Sequence, residues 1–173
     1  MILKLLKKLL KLNSKFKQYI YTKIVKLQCK TYGSDLTVNG KSRVTKNTII
    51  RNNVNLNGMT IKENAQVDIG NNFHSGEMCL MITDIHNYDT GKAIPYDSSY
   101  IKKDIIIEDN VWLGDRVIVL GGVTVGEGSI IQAGSVLVKS IPKYAIAGGH
   151  PAKVFKYRDI EHYEQLKKEK RFH

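Results

Sequence analysis

Five histidines and two cysteines are the side chains of this 173-residue chain best suited to proton transfer, metal binding or nucleophilic attack near neutral pH. Cys29 and Cys79 form neither a CxxC pair nor a disulfide framework, which fits a reducing compartment, and each reads as a packing residue. A zinc centre would need three converging histidines. His74 and His86 lie twelve residues apart, and no other histidine occurs between residues 31 and 142. No metal site is expected. The run GGVTVGEG (121–128) lacks the Walker pattern, so its glycines read as chain corners and not as a phosphate cradle. His86 is placed differently, because a long polar stretch begins directly after it. An imidazole, with a pKa of about 6.5, can take a proton from a hydroxyl and hand it to a leaving group. Taken alone, His86 reads as a polar surface residue at the mouth of a loop; only its setting favours a base.

That setting is a repeat. Cut into sixes from Ile107, the chain reads IEDNVW, LGDRVI, VLGGVT, VGEGSI, IQAGSV, LVKSIP. The first place is always Ile, Leu or Val, and the middle places collect Gly, Asp, Asn and Lys. A helix repeats near 3.6 and a strand near 2, so the spacing predicts a short strand and a turn per unit, each unit forming one flat side of a solenoid. The aliphatic residues stack inward, coil upon coil, and Gly and Asn supply corners with positive φ. Ile69, Ser75 and Met81 extend the phase upstream. Ile50, Leu56, Ile61 and Val67 match only after a slip of one residue, as a bulge or short insertion would give. Residues 87–106 break the pattern and read as a protruding loop. Beyond Pro142 come an extended tail and a short polar helix, expected to cap the last coil. The expected organisation is therefore a helical appendage over 1–30, a solenoid over 31–142 and a tail with capping helix over 143–173.

The net charge of +11 is uneven: residues 1–30 hold nine lysines and no acid, while the remainder is nearly balanced. Lys4, Lys8, Lys11 and Lys15 share one face of a predicted helix; Leu5, Leu9, Leu12 and Phe16 share another. Lysines interrupt every apolar run, so the segment is neither a membrane span nor a signal peptide. It either packs its leucine face on its own fold or a partner subunit, or lies on an anionic membrane. Nucleic acid is not expected, since no basic patch with interleaved aromatics occurs elsewhere.

The sixes resemble the hexapeptide repeat of left-handed parallel β-helix proteins, and the left hand is taken from that resemblance. More narrowly, TDIHNYD, VWLG, GVTVG, AGSVLVK and GHPAK together resemble the hexapeptide acetyltransferases of the galactoside, maltose and nodulation-factor type, over about Ile50 to Arg158. The resemblance implies a mainly β homotrimer that moves acetyl from acetyl-CoA to a hydroxyl, usually of a sugar, with sites between subunits; the charge pattern of residues 1–30 suggests a cytoplasmic setting and a cell-surface glycan as acceptor. It implies His86 as general base and Trp112 beside the CoA arm. It places Asp115, Ala133 and Val138 along that arm, and Lys139, Lys153 and Lys156 at the phosphates. Asp115 and Val138 depart from the hydroxyl residues common at their positions. At the acceptor end Leu56 stands where the family has Asn, so Asn57 is nominated instead, with Tyr88; Tyr96 and Tyr100 could stack on a sugar or simply pack within the loop. N-acetylation of a nucleotide-linked amino sugar is the alternative, and a non-enzymatic scaffold the distant one. With a peripheral N-terminal helix, the setting would be the inner membrane face.

Overall fold

The computed structural model describes residues 2–62 and 64–173, with side chains from residue 12 onward. Helix α1 (Ile2–Gln28) leads into a mainly β solenoid of about six turns. The first coil takes β1 (Thr31–Tyr32), β2 (Thr37–Gly40) and a bridge at Arg43; the second takes β3 (Thr48–Ile50), β4 (Asn55–Asn57) and β5 (Thr60–Lys62). The third comprises β6 (Val67–Ile69), β7 (His74–Glu77) and β8 (Leu80–Ile82). A hairpin, β9 (Asp84–His86) with β10 (Tyr100–Lys102), then leaves the stack. The fourth coil has β11 (Ile105–Ile107), β12 (Trp112–Leu113) and β13 (Ile118–Leu120). The fifth has β14 (Thr124–Val125), β15 (Ile130–Ile131) and β16 (Val136–Leu137). The last has a bridge at Ile141 and β17 (Ala145–Gly149), against which β18 (Ala152–Tyr157) folds back antiparallel. Two sequence boundaries therefore move. Ile105 and Ile106, expected in the loop, are already solenoid, and the coils continue past Pro142 to Gly149.

Parallel pairing joins equivalent strands into three faces: β1-β3-β6-β11-β14, then β2-β4-β7-β12-β15-β17, then β5-β8-β13-β16. We call them the first, second and third faces. The inward residues are the predicted aliphatics. Ile50, Ile69, Ile107 and Val125 stack on the first face, Leu113, Ile131 and Ala147 on the second, and Ile61, Met81, Val119 and Leu137 on the third. All are buried. Such a core forms only by stacking, since no single coil can enclose its own apolar side.

The corner between first and second faces is a column of positive-φ residues: Asp35, Asn53, Asn72, Asn110, Gly128 and Tyr144. Asparagine tolerates that conformation and its amide reaches the next coil. Asn53 donates to Asn72 at 2.9 Å, and Asn72 to Asn110 at 2.8 Å. The one-residue phase slip lies on the second face. Asn55 pairs with His74 but Asn57 with Glu77, and the register also shifts against β2, so the second coil is one residue shorter there than both neighbours.

Helix α1 closes the open end of the first coil with its C-terminal half. Val25 is fully buried, Tyr21 and Cys29 pack on the core, and Thr22 Oγ1 accepts the Val38 N–H at 3.1 Å. The face that docks is thus Gln18–Tyr21–Thr22–Val25–Cys29. It is not the leucine face, because Leu12 and Phe16 remain about two-thirds exposed (67% and 65%). The side chains of Lys4, Leu5, Lys8, Leu9 and Lys11 lie outside the described residues.

Helix α2 (Ile160–Lys168) starts at an Asp159 N-cap, which accepts the His162 N–H at 3.0 Å. It does not cap the last coil, as the sequence suggested, but runs down the asparagine corner. Tyr144 donates to Glu164 at 2.7 Å, Asn110 donates to Tyr163 Oη at 2.7 Å, Lys167 pairs with Glu127, and the tail beyond α2 reaches Asn53. The reason is chemical: this corner offers amides and a carboxylate to a polar helix, whereas the last coil already carries β18 beside it.

Candidate functional site

Each face ends in an edge, and the predicted residues fall on two of these. His86 lies where the third face turns toward the first. Its strand is pinned by buried Asp84, whose carboxylate accepts the N–H groups of Asn64 (3.2 Å) and Ala65 (3.1 Å) and the Thr83 hydroxyl (2.9 Å). The loop returns onto this strand, with Tyr100 directly across from His86. At its tip Asp97 accepts the Lys92 and Ser99 N–H groups, at 2.7 and 2.8 Å, and the Ser99 hydroxyl. The Ser99 hydroxyl first, and then these two N–H groups, hold the Asp97 carboxyl below its usual pKa. The turn so fixed lays Tyr96 on the His86 imidazole, ring centroids 3.7 Å apart and 14° from parallel, with Tyr100 at 4.5 Å.

Nδ1 of His86 is buried and has no hydrogen-bond partner among the described residues. A neutral imidazole carries one N–H and one lone pair, so an unpartnered buried nitrogen costs about 1–3 kcal/mol. Such costs are found where a group is held for chemistry. Tyr88, nominated for the acceptor, is exposed two residues beyond His86 and does not stack on it; Tyr96 and Tyr100 do. Val138 and Lys139 follow β16 at this same edge, two coils further on, both exposed.

The edge between second and third faces carries most of the rest. Asp115 Oδ1 accepts the Glu77 N–H at 2.7 Å, the Asp115 carbonyl accepts the Gly134 N–H at 2.8 Å, and Gly149 N–H reaches Ser135 Oγ at 3.1 Å. Asp115, Ala133 and the Gly148–Gly149 pair thus mark one line along the solenoid. Packing is tight there: a Cβ on Gly114 would stand 2.6 Å from the Ala133 nitrogen. Across from Gly148 the line meets Lys153, and Lys156 lies opposite Ile146. Both lysines are exposed, and among the described residues neither they nor Lys139 form an ion pair. An edge of closely packed backbone with unpaired lysines at its end suits a thin chain with a phosphate-rich end. Asp115 has spent one oxygen on the coil below, which is a structural use the sequence did not show. Asn57 sits on this edge and not beside His86. Its amide donates to the Ser75 carbonyl at 2.6 Å and its Oδ1 accepts from Asn39 at 2.8 Å.

Trp112, 53% exposed, points outward from the second face, as alternation requires. It walls a cleft of about 390 Å³ with His74, Arg158, Tyr163, Leu166 and Phe172. His74 pairs directly with Trp112 on the neighbouring coil. The His74 Nε2 is buried and has no hydrogen-bond partner among the described residues, its ring stacks on His173 at 5.3 Å, and burial is the main cause that lowers its pKa. Among the described residues no three His, Cys, Asp or Glu side chains cluster as a metal site would require. Within one chain, His86 and the Asp115–Ala133 line therefore occupy different edges, and Trp112 lies on the second face beside α2.

Comparison with known proteins agrees with the solenoid fold. Residues 104–139 match the family model described as bacterial transferase hexapeptide (six repeats). A galactoside O-acetyltransferase of Lactococcus lactis is 34% identical over 96 residues, 56% of this chain and 45% of that protein. A crystal structure of a hexapeptide-repeat acetyltransferase from Vibrio cholerae superposes with a TM-score of 0.65 at 25% identity, covering 76% of each chain. Its complex with acetyl coenzyme A superposes at 0.54, covering 73% of this chain and 64% of that one. The chain spans less than half the length of the curated relatives it matches.

Proposed function

We propose that this chain, a hexapeptide-repeat protein of the acetyltransferase type, transfers acetyl from acetyl-CoA to a hydroxyl of a sugar or cell-surface glycan, with His86 as general base. The observation that carries the reading is the His86 imidazole, held at a solenoid edge by Asp84 and by the returning loop, with one nitrogen buried and unpartnered. Nε2 faces the acceptor. It takes the hydroxyl proton as the sugar oxygen attacks the thioester carbonyl. The tetrahedral intermediate collapses, the C–S bond breaks, and the imidazolium returns the proton to the thiolate, leaving the acetyl ester and CoA-SH.

The pantetheine arm lies along the Asp115–Ala133 edge beside Trp112, with Lys153 and Lys156 at its phosphates and Val138 and Lys139 supplied from the His86 edge. Because these edges are separate in one chain, the working unit is a homotrimer in which neighbouring copies bring them together. The protein works in the cytoplasm, in keeping with two unpaired cysteines.

The deciding experiment measures thiol release from acetyl-CoA over a panel of sugars and glycans, beside His86→Ala. The expected loss is about 10²-fold or more in kcat/KM. Full activity in the variant would remove His86 from the mechanism. Amino sugars in the same panel decide between ester and amide products.

A further inference from the structure

Helix α1 has two unlike faces, and only one is used by the fold. Gln18, Tyr21, Thr22, Val25 and Cys29, spaced by three and four residues, point at the first coil. On the opposite side Leu12, Phe16, Ile20, Ile24 and Leu27 form a second stripe at the same spacing, with Tyr19 beside it, and all six are exposed; Leu27 is 87% accessible. Every residue from Leu12 to Lys17 is exposed, so this part of the helix extends clear of the solenoid. Lys15 and Lys17 flank the stripe. Lys23 stands within it, its ammonium 5.6 Å from the Tyr19 ring, a position from which a long side chain can bury its stem and lift its charge. No aspartate or glutamate precedes Asp35.

We propose that this outer stripe of α1 is a docking surface for an anionic lipid bilayer, on which the helix lies in the plane of the interface. An apolar stripe with flanking lysines matches acyl chains beneath a layer of negative headgroups. A second copy of the same helix fits worse, since it would bring eight more lysines and no acid to the contact. No described helix is long and apolar enough to cross a membrane, which leaves the interface as the depth this segment can reach. The inference is independent of the acetyl-transfer reading.

The test sediments the full chain with vesicles of phosphatidylcholine alone and of phosphatidylcholine with phosphatidylglycerol, at low and high salt. Binding is expected only with the anionic vesicles and weakens as salt rises. Phe16→Glu and Leu12→Glu each reduce the partition coefficient by about tenfold or more, with an unchanged melting temperature because neither side chain is part of the core. Absence of binding to anionic vesicles overturns the proposal. So does undiminished binding of both variants, which would leave charge alone as the cause. A fall in molecular mass of Phe16→Glu by light scattering also overturns it, by assigning the stripe to contact between copies.

Discussion

At His86 the imidazole is positioned by contacts that come from both sides of the loop. Tyr96 stacks on it nearly face to face, so the ring's orientation depends on that neighbour's shape and not on its hydroxyl. Tyr96→Phe is expected to keep kcat within about twofold, whereas Tyr96→Ala lowers it by about tenfold or more, since small misplacements of a base are costly. A pH–rate profile run on both variants separates loss of orientation from unfolding of the loop. His86 itself was legible in the sequence, because it stands in the six-residue phase immediately before the phase lapses. The stacking of Tyr96 and Tyr100 on it was not, because the pairing of β9 with β10 spans a long irregular turn that carries no hairpin signature. Asp115 shows the opposite difficulty. Family likeness put it beside the cofactor, yet its carboxylate holds the Glu77 N–H. Asp115→Ala should destabilise the fold by about 1 kcal/mol in chemical denaturation, while Asp115→Asn retains the acceptor oxygen and most of the stability.

Among the elements, the sixes of the second half translated directly into faces, because each aliphatic residue has an equivalent one coil away. The slip upstream was visible as a number but not as a place. It is resolved by a second coil one residue short on a single face, a property of pairing between coils that no one coil encodes. The asparagine corner is different again: Gly and Asn were expected at corners, but the ladder in which the Asn72 amide reaches Asn110 shows only once the coils are stacked. Asn72→Val removes two ladder bonds and places a β-branched residue at φ 53°. The expected cost is about 2–3 kcal/mol, read as a lowered thermal midpoint, with Asn72→Gly recovering the part that is conformational. Helix α2 was predicted as a helix but misplaced, since its polar residues gave no hint of which polar surface they would meet.

For the whole molecule, acid should loosen α2 before it unfolds the solenoid. Burial alone would raise the Glu127 carboxyl, but Lys167, Tyr163 and Lys143 outweigh it and hold it below its ordinary range. Its contribution is therefore complete above the ordinary carboxylate value and is lost as pH falls through the lowered one. The pKa of His74, beneath the tail that follows α2, is lowered mainly by burial. Its contribution is present above the ordinary imidazole value and declines as pH drops toward its lowered one. Protection from hydrogen exchange over residues 160–168 should fall in two steps, one as pH drops below the ordinary imidazole value and one below the ordinary carboxylate value, and Glu127→Gln should remove the more acidic one.

The route of α2 has a mechanical corollary. A stack whose rungs touch only their neighbours can fray from either end, one layer at a time. Here a diagonal brace ties Tyr144, Glu127 and Asn110, which belong to three successive layers, to a single rod. Peeling the terminal layer must therefore strip the rod from the two beneath it, so the far end of the column comes apart as a block.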